Sequence, residues 1–118
     1  MKENVVRAKS FNFALRIVKL YQYLADKKKE FVLSKQLLRS GTEIGALIRE
    51  GEQAESKPDF IHKMSIALKE ANESEYWIEL LFQGKYIDET EFTSLIIDLK
   101  ELLKILTSII KTSKEKNK

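Results

Sequence analysis

The chain has 118 residues, with no cysteine, one proline, four glycines, 43% hydrophobic and 33% charged residues. That length makes one domain, large enough to bury a core without covalent staples, and the composition excludes disulfides, thiolate chemistry and a turn-rich sheet fold. The formal net charge of +3 averages over blocks of unlike sign, +7 for residues 1–39, −8 for residues 40–101 and +4 for residues 102–118, so an electrostatic partner meets a patch rather than a mean.

The opening MKENVVRAKS lacks the apolar centre of a secretory signal. No apolar run approaches the roughly 18 residues that span a bilayer. The expectation is a soluble cytoplasmic protein with no membrane role.

Four amphipathic helices are expected. The first covers about residues 3–25, where Val5, Ala8, Phe11, Leu15, Val18, Tyr21 and Leu24 recur at three- and four-residue steps and so share a face. The charged run 26–30 is a turn. Ser34 then offers an N-cap for a helix over 34–52 that buries Leu37, Ile44, Leu47 and Ile48. Within it, Gly41 and Gly45 have the spacing that lets helices approach closely, and Arg39 reaches towards Glu43 one turn on.

The third helix covers 58–83. Pro58 suits its first turn, Asp59 the positive end of its dipole, and Gly84 follows its end. At 100° per residue Met64, Leu68, Ala71, Ile78 and Phe82 make a core face, while Ile66, Trp77 and Leu80 fall on the other side with Glu73 beside them. One core cannot bury both lines. Ile66, Glu73, Trp77 and Leu80 are therefore the expected oligomer interface, where Trp is enriched.

The fourth helix covers 88–111, opened by a capping box of Asp88 and Glu91. Phe92, Leu95, Leu99, Leu102, Leu106 and Ile109 form its heptad stripe, with Ile97 and Ile105 outside it. Residues 112–118 read as a frayed basic tail. Short connections make neighbours antiparallel, so the fold class is all-α, an up-down-up-down four-helix bundle.

Catalytic and cofactor motifs are lacking. His62 is the one histidine, and the single Asp59-x-x-His62 cannot supply the paired Glu-x-x-His elements of a bundle di-metal site. No phosphate loop, HExxH or nucleophile elbow occurs. The expectation is no enzyme, no cofactor and no metal.

Several phrases carry a resemblance: Gln36-Leu37-Leu38-Arg39-Ser40, then Ile44-Gly45-Ala46 and Glu50-Gly51, then Ile66-Ala67-Leu68-Lys69-Glu70-Ala71-Asn72-Glu73. The sequence resembles the bacterial four-helix-bundle proteins encoded within intervening sequences of large-subunit ribosomal RNA genes. That family includes the accessory variability protein of diversity-generating retroelements. An Asn commonly follows the Ala of Ile-Gly-Ala; here Leu47 does. The resemblance implies a pentamer of bundles and a relative that contacts nucleic acid and a reverse transcriptase.

Lys2, Lys9 and Arg16 lie seven residues apart on one stripe of the first helix, with Asn12 and Lys19 alongside. In the expected bundle this helix begins where the last one ends, near Lys111, Lys114, Lys116 and Lys118. Lys9, Arg16, Lys19, Lys111 and Lys114 are therefore the candidate contacts to RNA or DNA phosphates, with salt-sensitive affinity. Aromatic residues are scarce on that face, so base stacking is not expected. The alternative is a protein-interaction scaffold, with a protein partner and no nucleic-acid role. An amphipathic membrane-surface role for the last helix ranks third, because the core needs its apolar stripe.

Overall fold

The computed structural model describes residues 2–116. They form α1 (Lys2–Lys27), α2 (Leu33–Glu52), α3 (Lys57–Gln83) and α4 (Glu89–Lys116). The two longest helices, at 27 and 28 residues, each extend about 40 Å, matching a body of 50 × 22 × 19 Å. Among the described residues each helix packs against two neighbours, in the ring α1–α2–α3–α4–α1, and the diagonal pairs do not come into close backbone approach. This is the four-helix bundle expected.

The core is continuous along the long axis. α2 contributes Leu37, Ile44, Leu47 and Ile48, α3 Met64, Ala67, Ala71, Ile78 and Leu81, and α4 Leu95, Leu99, Leu102, Leu106 and Ile109. Two small residues set the distance between α1 and α2. A Cβ at Gly41 would lie 3.0 Å from Ile17 Cγ1, and one at Gly45 3.4 Å from the Ser10 hydroxyl. The small-residue spacing thus serves close helix packing. Between α2 and α3 the buried hydroxyls of Ser40 and Ser74 meet at 2.8 Å, and Ser74 also donates to the Glu70 carbonyl at 2.9 Å. No orphaned polar atom is left in the core among the described residues.

The inner face of α1 differs from the expected one. Val6, Phe13, Ile17, Leu20 and Leu24 are buried, whereas Val5, Phe11 and Leu15 are 43%, 52% and 44% exposed. Leu24 alone among the expected face residues is fully buried; Ala8 is exposed, and Val18 and Tyr21 are half-buried. Both lines have helical spacing and lie on opposite sides of the helix, so periodicity alone does not choose between them. The choice falls to Ile17 and Ser10, which fit against the glycines of α2.

One cap also differs. Ser34 lies inside α2 and donates its hydroxyl to the Glu30 carbonyl at 2.8 Å. The Glu30 carboxylate does the capping, accepting from the amides of Val32 at 3.1 Å, Leu33 at 3.0 Å and Ser34 at 2.7 Å. Burial pushes the Glu30 carboxyl up, but those three N–H groups outweigh it and hold it below the ordinary carboxylate range. At α3, Ser56 accepts from the Asp59 amide at 3.1 Å, one residue before the helix begins. Asp88 caps α4 as expected, accepting from the Glu91 amide at 2.8 Å. The expected fray is displaced too: α4 stays helical to Lys116, while 117 and 118 lie outside the described residues.

α1 and α3 both end with a lysine in the left-handed region, Lys29 at φ 55° and Lys85 at φ 67°. After α3 the Tyr86 amide donates to the Leu81 carbonyl at 2.9 Å and the Lys85 amide to that of Phe82 at 3.0 Å. This is a Schellman closure in which lysine occupies the position glycine usually takes.

Candidate nucleic-acid interface

The antiparallel ring brings the basic face of α1 against the acidic start of α4. Lys9 Nζ lies 2.6 Å from Glu101. The Arg16 guanidinium donates to Asp98 at 2.7 Å and to Ser94 at 3.0 Å, and stands 3.6 Å from Glu91. These two residues close the α1/α4 seam, so two of the three leading candidate contacts already hold carboxylates of their own chain. Glu91 correspondingly faces Arg16, and only the Asp88 half of the capping box forms. Lys19 is exposed and makes no ion pair among the described residues.

Lys111 and Lys114 are on another surface. They line a shallow groove with Leu68, Thr107, Ile110 and Glu115, on the α3 side of α4. Three turns earlier on α4, Lys100 pairs with Glu75 of α3 at 2.9 Å. At 100° per residue this flank is turned far from Glu101 and Asp98 on the α1 side. At the same end of the bundle Arg7 stands 3.5 Å from Glu52, and the Arg49 guanidinium lies over the Phe11 ring, 5.3 Å from its centre. The five candidates, four lysines and Arg16, therefore do not make one patch.

The other end holds a groove of about 830 Å³ between the last turns of α1 and the α3–α4 connection. Arg16, Lys19, Lys28 and Lys85 line it against two carboxylates, Asp88 and Glu91. Both carboxylates are committed, Asp88 to the Glu91 amide and Glu91 to Arg16. Lys19, Lys28 and Lys85 make no ion pair among the described residues. Leu20, Ile87 and Phe82 give the groove an apolar floor, with Phe82 stacked on Phe92 at 4.3 Å between ring centres. Tyr23, 46% exposed, and the half-buried Tyr86 stand on its walls.

Reading residue by residue missed Lys28, Lys85, Tyr23 and Tyr86. About sixty positions separate the two halves of the groove, and neither half carries a motif. The available signal was topological: in an up-down-up-down bundle the end of α1 and the α3–α4 turn share an end.

The expected oligomer residues gather on the outer side of α3. Glu73 accepts from the Trp77 indole N–H at 3.0 Å and from the Arg39 guanidinium. Arg39 also donates to Glu70 at 3.2 Å, so its partners are on α3 rather than at Glu43. The Trp77 indole, with Arg39 second, holds the Glu73 carboxyl below the ordinary range. Burial lowers the Arg39 guanidinium, yet Glu73 and Glu70 together raise it above its usual value. Ile66, Trp77 and Leu80 are half-buried in the single chain, with Ile66 and Trp77 leaning on the core. Tyr76 meets Trp77 edge to face at 5.0 Å and is itself 55% exposed.

His62 is exposed, and no group of three or more His, Asp or Glu side chains could hold a metal ion among the described residues. Among the described residues no helix is long and apolar enough to cross a membrane.

The profile of the 23S rRNA-intervening sequence proteins matches residues 2–108. The chain belongs to that family. It is also similar to a crystal structure of a protein of unknown function from the S23 ribosomal protein family of Bacteroides thetaiotaomicron. The identity is 59%, over 94% of this chain and 99% of that one, with a TM-score of 0.93. Among proteins of curated function, none matches. Membership accounts for the four-helix fold and brings no assigned chemistry with it.

Proposed function

We propose that this member of the 23S rRNA-intervening sequence protein family is a non-catalytic, cytoplasmic, homo-oligomeric module that docks on nucleic-acid phosphates. The observation that carries the reading is the groove at the α1/α3–α4 end, where Lys19, Lys28 and Lys85 have no carboxylate partner among the described residues. Lysines without internal partners are the ones free to release counterions to a polyanion. Lys111 and Lys114 add a second, weaker basic strip on the α3/α4 flank. Arg16 and Lys9 serve the fold first. The test is binding of a short structured RNA over a salt series, with Lys19→Glu and Lys28→Glu expected to abolish uptake and Lys9→Gln expected to leave it near the parent.

Oligomerisation is supported by two outward apolar lines. One is Val5, Phe11 and Leu15 on α1; the other is Ile66, Trp77 and Leu80 on α3, beside Glu73. α1 and α3 are diagonal in the ring, so the lines face away from each other. Two different surfaces on opposite sides suit a head-to-tail contact that closes into a cyclic oligomer, and the family resemblance suggests five subunits.

The exposed α1 line favours one alternative, a protein-interaction scaffold that uses Phe11 and Leu15 to hold a partner protein. That reading expects no salt-dependent RNA uptake.

A further inference from the structure

We infer that the groove between the end of α1 and the α3–α4 turn receives an unpaired nucleotide of a single-stranded nucleic acid, its base against Tyr23 and Tyr86 and its phosphates on Lys19, Lys28 and Lys85. This rests on the phosphate-docking reading and adds a ligand class to it.

Three observations lead there. The groove, at about 830 Å³, is large enough for a nucleotide. Its floor of Leu20, Phe82 and Ile87 is apolar, which suits a base edge or ring better than a bare phosphate. Tyr23 is exposed on one wall, and the half-buried Tyr86 stands on the other. Aromatic rings flanked by unpaired cations are how single strands are held without sequence readout.

A duplex cannot use the tyrosines, because its bases are stacked on one another. It can use the lysines. The two halves of the groove therefore separate by ligand.

The experiment is fluorescence anisotropy with a labelled twelve-nucleotide oligo-uridine and a labelled twelve-base-pair RNA duplex, from low to high salt. The parent should bind the single strand more tightly, with a slope near −2 in log affinity against log salt for three phosphate contacts at about −0.7 each. Tyr23→Ala should weaken the single strand about tenfold, the order of one lost base stack, and leave the duplex unchanged. Tyr23→Phe should bind like the parent. Lys19→Gln should weaken both ligands and flatten both slopes.

Equal binding of both ligands, with Tyr23→Ala silent and Lys19→Gln weakening both, overturns the nucleotide site while phosphate docking stands. No binding of either ligand at low salt overturns both. Tyr23 is exposed and outside the core, so its variants fold, and a thermal melt of each confirms that loss of binding is not loss of structure.

Discussion

Arg16 and Asp98 meet at 2.7 Å across the α1/α4 seam, with Ser94 at 3.0 Å and Glu91 at 3.6 Å from the same guanidinium. One side chain thus ties the middle of α1 to two turns of α4 at the edge of the basic groove. Arg16→Ala should cost about 1 kcal/mol of stability, the upper range for a partly exposed pair with several partners. Lys19→Ala, one turn away with no ion pair, should stay within about 0.5 kcal/mol of the parent. Urea unfolding of the two variants makes the comparison; equal stabilities would remove Arg16 from its structural role.

The Glu30 cap predicts an acid limb to stability. Its carboxyl is held below the ordinary range in the fold. Its contribution is therefore complete above the unfolded-state carboxyl value and is lost as pH falls through the lowered folded one. Melting temperature should drop over that acid window, and Glu30→Gln should flatten the drop. At neutral pH Glu30→Ala should cost about 1–3 kcal/mol, because three amides at the start of α2 lose their acceptor.

The two helix-packing glycines should respond differently to alanine. At Gly45 the new Cβ meets Ser10 at an ordinary 3.4 Å, so the helix-propensity gain of up to about 1 kcal/mol is realised. At Gly41 it meets the buried, β-branched Ile17 at 3.0 and 3.1 Å, where little can yield. Gly41→Ala should be about 1–2 kcal/mol less stable than Gly45→Ala, read as a difference in urea midpoint.

Lys85→Gly separates stability from binding. Relief of the left-handed lysine should add about 0.5–1 kcal/mol, while RNA affinity falls because a groove cation is gone. Lys29→Gly, at the matching position after α1, should add similar stability. A Lys85→Gly variant that is both more stable and undiminished in binding would take Lys85 out of the site.

The fold is legible because α2 and α4 each have a single dominant apolar stripe, and Leu37, Ile44, Leu47 and Ile48 of α2 are the core in sequence and structure alike. α1 was misread because Val5-Phe11-Leu15 and Val6-Phe13-Ile17 are equally periodic, and only the shape of α2 distinguishes them. Ser34 was misread as a cap because serine is the commoner residue there; the glutamate four residues earlier reaches three amides that a serine could not. The candidate site was half legible. Charge segregation marks α1 as basic, but the pairing of Lys9 and Arg16 with carboxylates of α4 depends on which helices are neighbours and is not visible in the sequence.

The two apolar lines make a prediction about assembly. Phe11→Ser with Leu15→Ser, and separately Trp77→Ala, should each lower particle mass towards the 13.7 kDa chain in light scattering. Parent-like mass in both would dismiss the head-to-tail arrangement.

The most direct test of the central claim is light-scattering mass of the protein alone and with a short structured RNA across a salt series. The account predicts an oligomer that takes up RNA at low salt, releases it at high salt and loses uptake in a Lys19→Glu, Lys28→Glu variant. An oligomer whose mass never changes with RNA at any salt would contradict it and leave the scaffold reading standing.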